Sequence, residues 1–383
     1  MKKIEVNKNN LFCMGYSLFL IGQILGHTFI NILPLFRYFL IAIGIVLVLL
    51  KIAVFDHITF NKSSLIKVTF LMVYLTVSLI STKTSGSIIP IVAFILIIGA
   101  YDVDFDSIVK IFIYTATLLL IITFAFYSLG LISESTALRN GIVRHSFGYR
   151  HPTDLTAMFS YILMGDMYLC IKYKRIIYPR IILYLFLGFF SLVICNARLG
   201  SITIFMLIPV LLFLYQKNSL GAKAPLFIIK NNFNIGLLLS IIITQLFATH
   251  ATNFLVHLNQ LISYRLTYQV MAVKLFGYSL WGQKIYQTYF QMFDNGSWFF
   301  IDSSYYVFLI QYGIVLLALW CTFFYLCQKR QINRGNYIIP VFFLIICIDS
   351  LIEQHLYSPE YNVFLLSLLA NLKFNPSLIR LKY

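Results

Sequence analysis

Long apolar runs separated by short polar joints dominate the chain. Runs able to form a helix across roughly 30 Å of hydrocarbon occur near 11 to 31, 34 to 54, 65 to 81, 107 to 130, 152 to 171, 181 to 195, 200 to 215, 233 to 249, 303 to 327 and 337 to 352. Two shorter runs, 86 to 100 and 360 to 372, bring the expected spans to twelve. No internal repeat, linker or low-complexity segment interrupts the pattern, so residues 1 to 383 read as one integral, all-α membrane domain. Two polar stretches are unusually long. These are 131 to 151 and 250 to 302, and the second is large enough to form a substructure outside the bilayer.

Composition agrees with the pattern. With 60% hydrophobic and 11% charged residues, the chain is too apolar for a soluble globular protein. Its formal charge of +16 raises the question of nucleic acid, but a basic apolar chain is better explained by cations that hold loops on the cytoplasmic side. With twelve spans and a cytoplasmic N-terminus, twenty of the 29 lysines and arginines fall inside and nine outside. That asymmetry places both termini in the cytoplasm. The first run follows Lys2, Lys3 and Lys8 as a signal sequence would. It has no small-residue cleavage site and is about twenty residues long, so it is expected to stay as a helix. Six cysteines without CxxC or metal-type spacing read as small buried side chains.

The nine outer cations are Arg37, Lys83, Arg139, Arg144, Arg150, Arg198, Arg265, Lys274 and Lys284. Three of them crowd into RNGIVRHSFGYRHPTD, residues 139 to 154, with His145 and His151. The carboxylates on this side are Glu134, Asp154, Asp294, Asp302, Glu353 and Glu360, too few to neutralise nine cations. The surplus faces water, lipid phosphate or a ligand. Guanidinium forks match phosphate oxygens, so Arg144, Arg150, Arg198 and Arg265 read either as a pyrophosphate site or as interfacial arginines reaching lipid headgroups. Arg198, in NARLGS, lies in a tight hairpin between two spans. There an unpartnered charge is costly.

Arg265 is surrounded by Tyr264, Tyr268, Tyr278 and Trp281, which suit sugar stacking or an interfacial aromatic belt. Asp302 opens the run DSSYYVFLIQYGI, where it reads as a helix cap or as a general base. Glu353 and His355, in DSLIEQHLYSPE, are further acid/base candidates or solvated helix-end residues. The overlapping DxD patterns of DVDFD, residues 102 to 106, read as a helix cap beside Ser107 rather than a metal site. His250 and His257, seven apart, make a weak metal pair.

RHSFGYRHPTDL at 144 to 155, NARLGS at 196 to 201, SYRL at 263 to 266 leading into LFGYSLWG, and DSSYYVFLIQYGI at 302 to 314 occur in this order on one predicted side. In these marks and in its hydropathy layout the chain resembles the Wzy-type polysaccharide polymerases, relatives of the O-antigen ligases. The resemblance implies a GT-C-like fold and a metal-independent glycosyltransferase without a cofactor. Such an enzyme works at the outer face of the cell membrane on undecaprenyl-pyrophosphate-linked oligosaccharide repeat units, for a capsule, an exopolysaccharide or an O-antigen.

The same resemblance gives Arg198 and Arg265 the pyrophosphate, with Arg144 and Arg150 joining them and Asp302 as the catalytic carboxylate. His145, His151, Tyr264, Tyr305, Glu353 and His355 would bind substrate. Related ligases carry a histidine near the place of Asp302, a departure that favours a polymerase over a ligase and leaves the base open. Membrane lipids, a flippase and a chain-length regulator are the implied partners, and nucleic acid is not among them. The rival from another class is a lipid-linked oligosaccharide flippase or transporter, which would bury charge along a path within its spans. Here Asp166 and Asp349 are the main candidates for such charge.

Overall fold

The computed structural model describes residues 7–56, 62–135, 137–139, 142–216, 223–285 and 300–372. The side chain of Arg139, residues 286–299 of the large polar stretch with Asp294, and both chain ends, on which the expected cytoplasmic termini rest, lie outside the described residues. In chain order the elements are α1 (Lys8–Gly26), α2 (Pro34–Phe55), α3 (Lys62–Ser85), α4 (Ile89–Gly99), α5 (Phe105–Ser128), β1 (Ala137–Arg139) and β2 (Ile142–Arg144). They continue with α6 (Pro152–Lys172), α7 (Tyr178–Val193), α8 (Arg198–Gln216), α9 (Lys223–Lys230), α10 (Asn232–Thr249), α11 (Asn253–Leu261) and α12 (Arg265–Phe276). After α13 (Ser304–Tyr306) comes a π-helical turn, Val307–Tyr312, then α14 (Ile314–Asn333) and α15 (Ile338–Asp349). Two 3-10 turns, His355–Tyr357 and Val363–Leu368, follow.

Among the described residues the chain is predominantly helical, and six helices are long and apolar enough to cross a membrane: Pro34–Phe55, Leu65–Ser85, Phe105–Ser128, Pro152–Lys172, Arg198–Tyr215 and Asn232–Thr249. All six coincide with expected spans. Leu35, Phe39, Val46, Leu50 and Val54 of α2 are exposed, as a lipid-facing stripe requires. Of the other expected runs, 11 to 31, 181 to 195 and 337 to 352 form the helices α1, α7 and α15, which fall short of that length or hydropathy, and three differ further. The run 86 to 100 yields the 11-residue α4, about 16 Å long at 1.5 Å per residue. The run 360 to 372 forms no α-helix. Its apolar side chains, Tyr361 and Val363 to Leu366, are buried around a 3-10 turn, so their hydrophobicity serves a protein core rather than lipid. The run 303 to 327 is broken at Gly313, which has φ +100°.

Two compact units emerge from the packing of the chain. The first contains α1, α2, α5 to α8, the β1–β2 hairpin and the stretch after Pro359. Glycines set its close helix contacts: a Cβ on Gly15 of α1 would lie 2.7 Å from the Gly44 carbonyl oxygen of α2. Polar groups mark its two ends. At one end Lys8 pairs with Asp102, and Lys51 is held 2.8 Å from both oxygens of Asp56 and 2.6 Å from the Tyr101 carbonyl. Asp104 caps α5, accepting from the Ser107 amide at 3.2 Å. The DVDFD stretch is thus a helix start, with Asp104 as the cap and Asp106 binding Lys172, Tyr168 and Tyr173 inside the unit.

At the other end the 129 to 151 stretch folds over the helix termini. The hairpin pairs Ala137 with Arg144 and Arg139 with Ile142 in antiparallel register. The Phe29 amide donates to the Gly148 carbonyl at 2.8 Å, the Arg150 amide to His27 at 2.8 Å, and the His145 amide to Ile194 at 3.3 Å. Backbone pairing of this kind anchors a polar loop that would otherwise leave its amides unsatisfied.

The second unit contains α3 and α9 to α15. Where 250 to 302 reads as a loop, it carries α11 and α12. His250, just past α10, and His257, in α11, sit on different elements and are exposed. The break at Gly313 is stitched to residues 279 to 283: the Gln283 amide donates to Gln311 at 3.0 Å, the Ile314 amide to Ser279 at 2.8 Å, and the Val315 amide to Leu280 at 3.1 Å. Ser81 of α3 closes the same turn, bonding the Tyr312 carbonyl at 2.7 Å.

Candidate functional site

In the second unit, Arg265 begins α12 and is buried. The turn before it is unusual: Ser263 and Tyr264 both have φ +64°, a left-handed backbone that costs a non-glycine residue of order 1 kcal/mol or more. Asn259 of α11, also buried, holds that turn in place. Its Oδ1 accepts from the amides of Leu266 at 3.1 Å and Thr267 at 3.3 Å, its Nδ2 donates to the Thr267 hydroxyl at 2.8 Å, and its carbonyl accepts from Tyr264 at 2.7 Å. Asn259 thereby caps α12 from outside the helix.

A cation at a helix N-terminus opposes the macrodipole, and two carboxylates compensate. Asp302 lies 3.2 Å from Arg265 Nε and Glu353 lies 2.9 Å from Nη1. Burial disfavours the guanidinium charge, but Asp302 and Glu353 raise its proton affinity and keep it charged. Asp302 does not cap a helix: Ser303 holds the cap position of α13, and the Asp302 carboxylate turns to Arg265. Glu353 and His355 are buried rather than solvated, with His355 Nδ1 3.9 Å from Glu353. Ser304 ties these stretches together, donating from its hydroxyl to the Glu353 carbonyl at 2.6 Å.

The sugar-stacking candidates divide. Tyr264 is 55% exposed, and Tyr278 and Trp281 are about half exposed. Tyr305 is fully buried, its hydroxyl donating to the Cys347 carbonyl at 3.0 Å and its ring against Phe233. Its position is that of a core residue, with no exposed face for a substrate.

In the first unit, Arg144, His145, Arg150, His151 and Arg198 gather at the end covered by the 129 to 151 stretch. Arg198 is the first residue of α8, exposed, across the short turn from α7. Arg144 Nε reaches the Cys195 carbonyl in that turn at 3.4 Å. Arg150 donates from Nε to the Thr28 carbonyl at 3.2 Å and covers the Phe29 ring at 5.8 Å. Among the described residues no carboxylate forms an ion pair with Arg150 or Arg198. Arg37, at the start of α2, packs its guanidinium against Gly26 and over Tyr38.

Glu134 organises this end. Its carboxylate sits 2.7 Å from His145 Nδ1 and accepts from the amides of Ser146 at 2.9 Å and Phe147 at 3.1 Å and from the Tyr127 hydroxyl at 2.9 Å. Burial pushes its carboxyl up, yet His145, the Phe147 amide and the other donors together hold it below the usual carboxylate range. Burial pushes His151 down, against the opposing pull of Asp154, while His27, Arg144 and Arg150 add to the lowering. His145 is thus bound to Glu134 rather than standing alone as a ligand group.

His27, Asn259 and Glu134 organise these ends, yet nothing in their local sequence marks them. Asn259 lies inside an ordinary helical pattern, and His27 owes its position to partners more than a hundred residues away. No protein-family model, no curated protein and no solved structure matches this chain.

Proposed function

We propose that the chain polymerises undecaprenyl-pyrophosphate-linked oligosaccharide repeat units at the outer face of the cell membrane, as a metal-independent glycosyltransferase. One observation carries this reading: Arg150 and Arg198 lack carboxylate partners among the described residues at an end of the first unit where Arg144 and Arg37 also gather. A pyrophosphate leaving group gains negative charge as the glycosidic bond breaks, and fixed guanidiniums stabilise that charge more in the transition state than in the ground state. In this proposal that end is extracytoplasmic, and a growing chain would pass from its carrier to a newly arrived repeat unit. The GT-C-like fold belongs to the same proposal.

Arg265 has a different part. Asp302 and Glu353 pair with it, so its contribution is to hold those carboxylates in place rather than to receive an anion alone. The transporter reading loses its two path candidates. Asp166 is neutralised by Arg180, with Nε and Nη2 at 2.7 Å and 3.1 Å from its oxygens, and Asp349 is the last residue of α15 rather than a mid-span charge.

The test is a ladder of product lengths made by purified protein in nanodiscs from its lipid-linked repeat unit, with EDTA present. Arg198→Ala, at an exposed position that folding tolerates, is expected to lower the rate about 100-fold while Arg139→Ala is tolerated. No ladder from an authentic unit, with flipping of that unit in liposomes, would overturn the polymerase in favour of a transporter.

A further inference from the structure

His27 ends α1 at the basic end of the first unit, and its ring lies between two carboxylates: Nδ1 is 3.5 Å from Asp154 and Nε2 is 3.9 Å from Glu360. Tyr361 packs edge-on against the ring, centroids 5.2 Å apart. The His27 side chain is 30% exposed, whereas those of Asp154 and Glu360 are 13% and 7% exposed. The imidazole is therefore the member of the trio that a substrate can reach. We infer that His27 is the general base of glycosyl transfer, with Asp154 as the positioning residue that orients its ring. This rests on the polymerase reading above.

Asp154 lies nearer to Nδ1 than Glu360 does to Nε2, and with the Nδ1 proton turned to Asp154 the Nε2 lone pair is the one that takes a substrate proton. The 3.9 Å between Nε2 and Glu360 exceeds a direct hydrogen bond, so the Nε2 lone pair can accept from a substrate hydroxyl. Asp302 is less suited to the task, because taking a proton would cost it the ion pair with buried Arg265.

In the step itself the acceptor hydroxyl gives its proton to His27 Nε2 while its oxygen bonds to the anomeric carbon of the donor. The bond from that carbon to the pyrophosphate oxygen breaks, and undecaprenyl pyrophosphate leaves with the electron pair. His27 then returns the proton to water. The groups around the ring are Arg37 from α2, Tyr149, Arg150 and His151 from the covering stretch, Asp154 from α6, and Glu360 with Tyr361. Arg144 acts on the same cluster through His151. The arginines oppose the imidazolium and favour the leaving group, so acid and anion are separated within one end.

The experiment follows polymer formation by wild type, His27→Gln, His27→Ala, Asp154→Asn and Asp302→Asn across pH in nanodiscs. Wild type is expected to lose rate toward acid, and Asp302→Asn to keep that limb. His27→Gln should fall at least about 100-fold in kcat with little change in KM. Added imidazole should restore part of the His27→Ala rate, and Asp154→Asn should displace the acid limb. A His27→Gln enzyme within about threefold of wild type would overturn the assignment, as would a folded His27→Ala enzyme that imidazole does not rescue. Absence of any ladder from wild type with its authentic unit would overturn the polymerase reading itself, and His27 with it.

Discussion

Arg265 combines three features that rarely coexist: a cation at a helix start, a strained turn before it, and burial. The cation is held by Asp302 and Glu353, distant in sequence, and the turn by nearby Asn259. Removing Arg265 takes away the buried cation that faces Glu353 and Asp302, and breaking a buried ion pair from one side typically costs about 3 to 5 kcal/mol. Arg265→Ala is therefore expected to lower thermal stability in detergent as well as activity, whereas Arg198→Ala should spare stability. Measuring unfolding alongside polymer formation separates the two. Lysine at 265 is not equivalent, because a single ammonium cannot reproduce the fork that contacts both carboxylates.

Among the elements, the interrupted helix from Ser304 to Asn333 has the sharpest requirement. Gly313 adopts φ +100°, and a Cβ there would lie 2.5 Å from the Gly282 amide nitrogen. Gly313→Ala is expected to destabilise by more than about 1 kcal/mol, read as a lower melting temperature and faster proteolysis near residues 279 to 283. Hydropathy located this element but not its break, since Val307 to Tyr312 is apolar whether it continues a helix or turns within a core. The six long helices were legible because lipid imposes length and composition together. The 360 to 372 stretch misled for the complementary reason: protein interior and lipid both select apolar residues, and residue type alone does not distinguish them. The arginine-rich stretch was legible as chemistry. Its pairing of Glu134 with His145 and its covering of the helix ends were not, because they depend on loop geometry.

For the whole molecule, acid should act first on the end of the first unit that carries His151 and Glu134. Burial lowers the His151 pKa below its ordinary 6.5, so its contribution to stability is complete above that value and lost as pH falls. Glu134 is depressed below its ordinary 4.5, so its contribution is complete above that value and lost on further acidification. The signs agree, and linkage makes the folded end weaker at each step toward acid. Amide exchange over residues 131 to 151, corrected for intrinsic rates, should rise as pH falls below the ordinary histidine value of 6.5 and again below the ordinary glutamate value of 4.5. Glu134→Gln should remove the second rise only.

The stitching of residues 279 to 283 onto the break at Gly313 also bears on how such proteins can be recombined. The segment that follows α12 is bonded through its backbone to the interior of the next apolar element, so the two fold as one cooperative piece. A chimera that exchanges residues 250 to 302 with those of another membrane protein would sever that register, whereas one that exchanges 250 to 315 would carry both partners of each of these backbone bonds. Expression and monodispersity of the two chimeras should differ accordingly, and the longer graft is the natural module for transplanting this segment.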